Sequence, residues 1–211
     1  MKTLIKTTCW ALMVLLALPA LAQEFQEGSD YRRLRSPVPT SAGEGQVEVV
    51  ELFWYGCPHC YRLEPAMERW LEEKPGYIKF VRLPAVLNAN WELGARAYYT
   101  ARELGILDEI HQPLFDAIHR ERRPMGTVDD LAAFFADYGV DREAFDKAWK
   151  SFGVETQVRK ATKRVRDYGV FGVPTLIVGG EYETSLSMAG SEQRLFDIVE
   201  FLAQRELQGQ G

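Results

Sequence analysis

What the chain has little of narrows its chemistry before any motif is read. Three cysteines in 211 residues are far too few for a disulfide-dense scaffold. Three histidines leave little from which to build a structural metal site. Basic residues do not exceed acidic ones, 25 against 30, and the formal charge of −5 lacks the footprint of a general nucleic-acid binder. No repeat or low-complexity tract is present. After residue 22, no run is apolar enough to suggest a transmembrane helix.

The one long apolar stretch lies at the start. "MKTLIK" supplies two lysines, "CWALMVLLALP" an apolar core, and Ala20 and Ala22 the small residues of a cleavage site. Residues 1–22 therefore read as a signal peptide, with a soluble, exported mature chain starting near Gln23. Removing Lys2 and Lys6 takes the formal charge from −5 to −7. Cys9 leaves with the leader, so the mature protein keeps Cys57 and Cys60 and no odd thiol.

Residues 23–45 are polar, with an extended "YRRL" and a Pro/Ser/Gly linker, and supply one edge strand at most. "VEVVELFWY" reads as a buried central strand ending at Gly56. A helix follows, with Leu63, Met67, Trp70 and Leu71 at helical spacing and "CPHC" as its first turn. Pro65 predicts a bend or an early end to that helix. "YIKFVRLP" is a second strand.

Between Asn88 and Tyr168 the pattern turns helical. Five segments are expected: "NWELGARAYYTARELG" from an Asn cap to a Gly stop, "LFDAIHR" after Pro113, "TVDDLAAFFADYG" with a Thr127–Asp130 capping box, "DREAFDKAWKSF", and "VETQVRKATKRVRDYG". The basic run Arg159–Arg166 reads as the solvated face of an amphipathic helix. "VPTLIVGGEYE" then suggests a hairpin, and Ser191 caps a last helix. The predicted class is an α/β sheet domain, 23–87 plus 169–211, interrupted by an all-helical insertion, 88–168, capping the edge near the CPHC helix.

A Cys-x-x-Cys pair has several uses. A c-type haem tether needs His directly after the second cysteine, where this chain has Tyr61. A zinc site wants four ligands, and the remaining histidines, His111 and His119, lie in the helical block. A bridge closing so short a loop adds little chain-entropy stabilisation. A redox couple fits the setting better. The N-terminal turn of a helix carries unpaired N–H groups and partial positive charge, which favour a thiolate. Cys57 is the expected exposed nucleophile and Cys60 the partly buried resolving thiol. Pro58 suits the helix start, and His59 places a cationic or hydrogen-bonding group beside the sulfur. Whatever stabilises the thiolate stabilises the reduced form, so the disulfide is readily given away.

The export signal, the strand ending in "ELFWYGCPHC", the helical insertion and the later "GVPT" together resemble the DsbA family of bacterial periplasmic thiol:disulfide oxidoreductases. The likeness covers essentially the whole mature chain. It implies a thioredoxin-like fold interrupted by a helical insertion domain. It also implies a Cys57–Cys60 redox disulfide, thiolate tuning by Pro58 and His59, and a cis-proline loop at Val173–Pro174 that contacts substrate. Proline there lacks an N–H to compete for the sulfurs, leaving the Val173 backbone to pair with an extended client. The resemblance further implies acidic residues beneath the cysteines. Glu51 and Glu64 are the candidates for a proton relay, with Lys79 on the neighbouring strand as their partner. No organic cofactor or metal is expected. The expected partners are unfolded exported proteins with free cysteines, gripped through a shallow apolar groove, and a quinone-linked membrane protein of the DsbB type. No dimerisation segment is visible, and a monomer is expected.

Overall fold

The computed structural model describes residues 25–209; the signal-peptide expectation for residues 1–22, Cys9 included, lies outside them. Five strands form one sheet: β1 (Arg32–Arg33), β2 (Val47–Phe53), β3 (Ile78–Pro84), β4 (Thr175–Val178) and β5 (Tyr182–Ser185). Their order is β1-β5-β4-β2-β3, with β2 and β3 parallel and every other pair antiparallel. Helix α1 (Pro58–Glu73) makes the crossover between β2 and β3.

All seven residues of β2 are buried, because both faces of the sheet are covered. Val47 and Val49 join the apolar cluster built with α1 and the C-terminal helix, whereas Val50 and Leu52 join the cluster on the opposite face. That C-terminal helix, α8 (Glu192–Gly209), follows the short α7 (Leu186–Ala189), which the sequence pattern did not reveal. Ser191 accepts the Arg194 N–H at 3.3 Å, as a cap should. Trp70 of α1 stacks on Phe196 of α8 at 5.1 Å, a contact that adds about 0.5–1.5 kcal/mol beyond area burial.

The other face is covered by five helices inserted between β3 and β4: α2 (Ala89–Glu103), α3 (Leu107–His119), α4 (Val128–Ala136), α5 (Arg142–Trp149) and α6 (Phe152–Tyr168). The Thr127–Asp130 capping box is present in full, and α6 stops at Gly169 in the left-handed conformation. Arg159, Lys160, Lys163 and Arg166 are exposed while Val158, Ala161 and Val165 face inward, so the basic run is an amphipathic face except at Arg164, which turns in to pair with the buried Glu48.

Several helix boundaries differ from expectation. Pro65 neither ends α1 nor shortens it; the helix runs 16 residues. One missing N–H is outweighed by Leu63, Met67 and Trp70 packing on either side of it. Pro113 likewise lies inside α3, whose buried Ile110 and Leu114 straddle the proline. Helix α2 begins two residues early, because Asn88 rather than Asn90 is its cap.

The β4–β5 hairpin turns at Gly179 and Gly180, both with positive φ, as a type I′ turn requires. A Cβ at Gly180 would collide with the carbonyl oxygen of Val38, whose N–H bonds Gly180 O at 2.9 Å. The N-terminal segment is thereby pinned to the hairpin.

Candidate active site

Strand β2 hands the chain to a tight turn, Trp54-Tyr55-Gly56, closed by the Cys57 N–H donating to the Trp54 carbonyl at 2.9 Å. Gly56 is required because any side chain there would strike the Trp54 indole. That indole stacks flat on Trp91 of α2, 4.4 Å away. The turn therefore sits between sheet and insertion, and it delivers Cys57 as the N-cap of α1 with Pro58 in the first turn.

Cys57 Sγ accepts the backbone N–H of Cys60 at 3.4 Å and donates to the Val173 carbonyl at 3.5 Å. The Val173–Pro174 peptide bond is cis. The loop expected against the cysteines is in contact with Cys57. Cys57 is only 8% exposed, however, against the expectation of an exposed nucleophile; the Val173 loop and the helix turn cover it. Cys60 is fully buried. Both are free thiols in this structure.

The two sulfurs are poised oppositely. Cys57 is lowered from the ordinary thiol value to about 6, chiefly by a hydrogen bond from the Cys60 thiol, then by the N–H groups of Cys60 and His59, with burial opposing. Cys60 is pushed far up by burial and by its neighbour's charge. His59 is exposed, and its Nδ1 lies 2.8 Å from an Arg62 guanidinium nitrogen. Its backbone acts on Cys57 more strongly than its ring does.

Behind Cys60 lies a buried charged cluster. Glu51 of β2 and Glu64 of α1 are both buried, and Arg82 of β3 is their shared cation. The guanidinium is 3.1 Å from Glu64 Oε2 and 3.3 Å from Glu51 Oε2, and it extends to the half-exposed Glu68. Two carboxylates and one dominant cation leave room for one proton. Burial, reinforced by Glu64, pushes Glu51 up to about 8. Burial works against Glu64 as well, but His111 and Arg82 prevail and hold it below the usual carboxylate range.

The expectation that Lys79 partners this pair is wrong. Parallel registry sets Lys79 beside Glu48 and Arg82 beside Glu51, so the lysine belongs to the other face of the sheet. Its ammonium bonds the Ser41 carbonyl. Three residues that the sequence reading missed complete the cluster: Arg82, His111 and Tyr55. Only strand registry and the docking of α3, neither visible in a single sequence, bring them there.

A cleft of about 480 Å³ opens beside the active-site turn, lined by Trp54, Gly56, Leu93, Ile118 and Met125 among others, with Arg123 at its rim. A larger groove of about 800 Å³ runs from Arg35 and Arg166 to the exposed Phe171, just before the cis-proline loop.

Comparison with known proteins agrees with this geometry. A family profile described as a DSBA-like thioredoxin domain matches residues 48–203. The thiol:disulfide interchange protein DsbA of Pseudomonas aeruginosa is 38% identical over 206 residues, covering 98% of this chain and 97% of the relative. The DsbA of Azotobacter vinelandii is 37% identical over 183 residues, covering 87% and 85% respectively. A crystal structure of Pseudomonas aeruginosa DsbA superposes with a TM-score of 0.83 at 38% identity, covering 89% of this chain and 97% of that one.

Proposed function

The chain belongs to the DsbA family of thioredoxin-like disulfide oxidoreductases, and from that premise we propose that it works as an oxidant, donating a Cys57–Cys60 disulfide to newly exported proteins. A client thiolate attacks Cys57 Sγ, the Cys57–Cys60 bond breaks, and Cys60 leaves as a thiolate that takes up a proton. A second client thiolate then attacks the client sulfur of the mixed disulfide and expels Cys57. The client loses two electrons and gains a disulfide; the enzyme departs as the dithiol.

The observation that carries this direction is the lowered Cys57. A thiolate held by the Cys60 thiol and two backbone N–H groups stabilises the reduced protein, and a neutral disulfide draws no such benefit. The carbonyl of Val173, beside the sulfur, supports recognition of clients through extended backbone. The apolar cleft next to the turn offers loose side-chain binding. Glu51 and Glu64 are assigned to the proton that Cys60 gains and loses, with Arg82 in the place first given to Lys79.

The setting follows from the same reading: residues 1–22 direct export, residues 88–168 form the insertion domain of a monomer, and catalysis takes place in the periplasm. A quinone-linked membrane partner of the DsbB type restores the disulfide. Among the described residues, no helix is long and apolar enough to cross a membrane.

Substrate trapping tests the assignment. Cys60→Ser is expected to accumulate mixed disulfides through Cys57, and Cys57→Ser to trap none; the reverse pattern would exchange the two roles. Equilibration against glutathione then reads the direction, with a mostly reduced protein at intermediate ratios expected for an oxidant.

A further inference from the structure

The buried cluster does not end at the carboxylates. His111 of α3 is buried, and its Nε2 faces Glu64 Oε1 at 3.5 Å. Neither atom has a partner in hydrogen-bond geometry among the described residues. On the far side of the ring, Nδ1 lies 2.8 Å from the Tyr55 hydroxyl. Tyr55 is also held from the other end of α3, where His119 Nε2 donates to its backbone carbonyl at 2.7 Å. Helix α3 thus grips one residue of the active-site turn at two points, which fixes the His111 ring independently of Glu64. With the Tyr55 hydroxyl donating to Nδ1, Nε2 carries a proton on the side of Glu64.

We propose that His111 is a positioning residue for thiol exchange: the insertion uses it to hold Glu64 ionised, so that the proton exchanged with Cys60 resides on Glu51. The inference rests on the reading of Glu51 and Glu64 as the proton-handling pair. The groups facing this site are Glu51 from β2, Arg82 from β3, Cys60 and Glu68 from α1, Tyr98 from α2 and Tyr55 from the turn. Of these, only Arg82 rivals His111 in favouring a charge on Glu64, and Arg82 is shared with Glu51. Arg82 Nη2 donates to Glu64 at 3.1 Å, while neither Glu51 oxygen has a partner in hydrogen-bond geometry among the described residues. His111 adds a second contact, made to Glu64 and not to Glu51.

The chemistry can be followed with a small disulfide as oxidant. In the reduced protein, the Cys57 thiolate attacks one sulfur of glutathione disulfide, forming a mixed disulfide and releasing one glutathione thiolate. Cys60 then passes its proton to the carboxylate pair and attacks the Cys57 sulfur. The intramolecular disulfide forms, the second glutathione leaves as thiolate, and two electrons have moved from dithiol to oxidant. The second step quickens as the pair loses its proton. Without a donor on Glu64, the pair holds that proton to higher pH.

The test is the pH profile of this second step in rapid-mixing experiments with glutathione disulfide. His111→Leu is expected to move the midpoint upward by about one pH unit, up to about tenfold slower below the midpoint. His111→Gln, whose oxygen accepts from Tyr55 and whose amide donates to Glu64, is expected to restore the wild-type midpoint. Tyr55→Phe keeps the ring and loses the orienting hydroxyl; a smaller upward shift is expected, which keeps the test open if His111→Leu folds poorly. A role in packing alone would lower stability and leave the midpoint in place. An unmoved midpoint in His111→Leu and Tyr55→Phe, or a shift in His111→Gln as large as in His111→Leu, overturns the proposal. Wild-type protein that exchanged no disulfide would remove the exchange reading as well, so the two failures are distinct.

Discussion

The rim and the floor of the active site, one helical turn apart, treat charge in opposite ways. At the rim, Cys57 caps α1 and finds donors in the Cys60 thiol and the Cys60 and His59 N–H groups that favour its thiolate. At the floor, Cys60 is fully buried, and burial and the neighbouring Cys57 oppose a second negative sulfur. The difference teaches that the disulfide is asymmetric before any client arrives. A thiolate expelled from position 57 is stable where it stands, while one expelled from position 60 needs a proton at once. Hydrogen-bond donors thus face Cys57, whereas two buried carboxyls lie behind Cys60.

Four substitutions break or sharpen this contrast, the largest effect first. Cys60→Ala removes both the resolving thiol and the main donor to Cys57. Turnover should vanish, and the Cys57 pKa should climb from about 6 by about one pH unit or more, read from thiolate absorbance. Arg82→Met leaves two buried carboxyls without their cation. Urea denaturation at neutral pH should show a loss of about 3–5 kcal/mol, the range for breaking a buried pair from one side.

Glu51→Gln acts through pH. Between the ordinary carboxylate range and about 8, the folded protein keeps a proton on Glu51 that the unfolded chain has released. Stability should therefore fall as pH rises through that window, and the glutamine variant should flatten the fall. Denaturation curves from pH 5 to 9 in a Cys57→Ser, Cys60→Ser background, where no thiol titrates, provide the check. His59→Ala should have the smallest effect: a modest rise in the Cys57 pKa, well below that of Cys60→Ala, because the ring is exposed and its backbone contribution survives. A rise as large as that of Cys60→Ala would place the tuning on the imidazole instead.

The rim was legible in the sequence and the floor only half so. A β-branched and aromatic run ending in Gly-Cys-Pro-His-Cys announces a strand feeding a helix, because periodicity changes there and proline suits a first turn. Val173 and Pro174 were found through the family likeness rather than through any local signal. Glu51 stood out as a charge within an apolar strand. Its cation did not, since Lys79 and Arg82 both lie in β3 and only the register with β2 separates them. His111 falls before the helix expected after Pro113 and counts there only as a candidate metal ligand. The helix in fact begins at Leu107, and its docking turns the ring onto Glu64. The nucleophile's cover was also hidden, because it comes from a loop 116 residues away in sequence.

The sheet's open margin has a consequence for how the protein meets other chains. Strand β3 ends the sheet on one side, and it carries Lys79, the inward-turned guanidinium of Arg82 and a closing Pro84. Each of these discourages another strand from docking edge to edge. The same arginine that balances the acid pocket thus helps keep the protein from pairing edge to edge with other polypeptides.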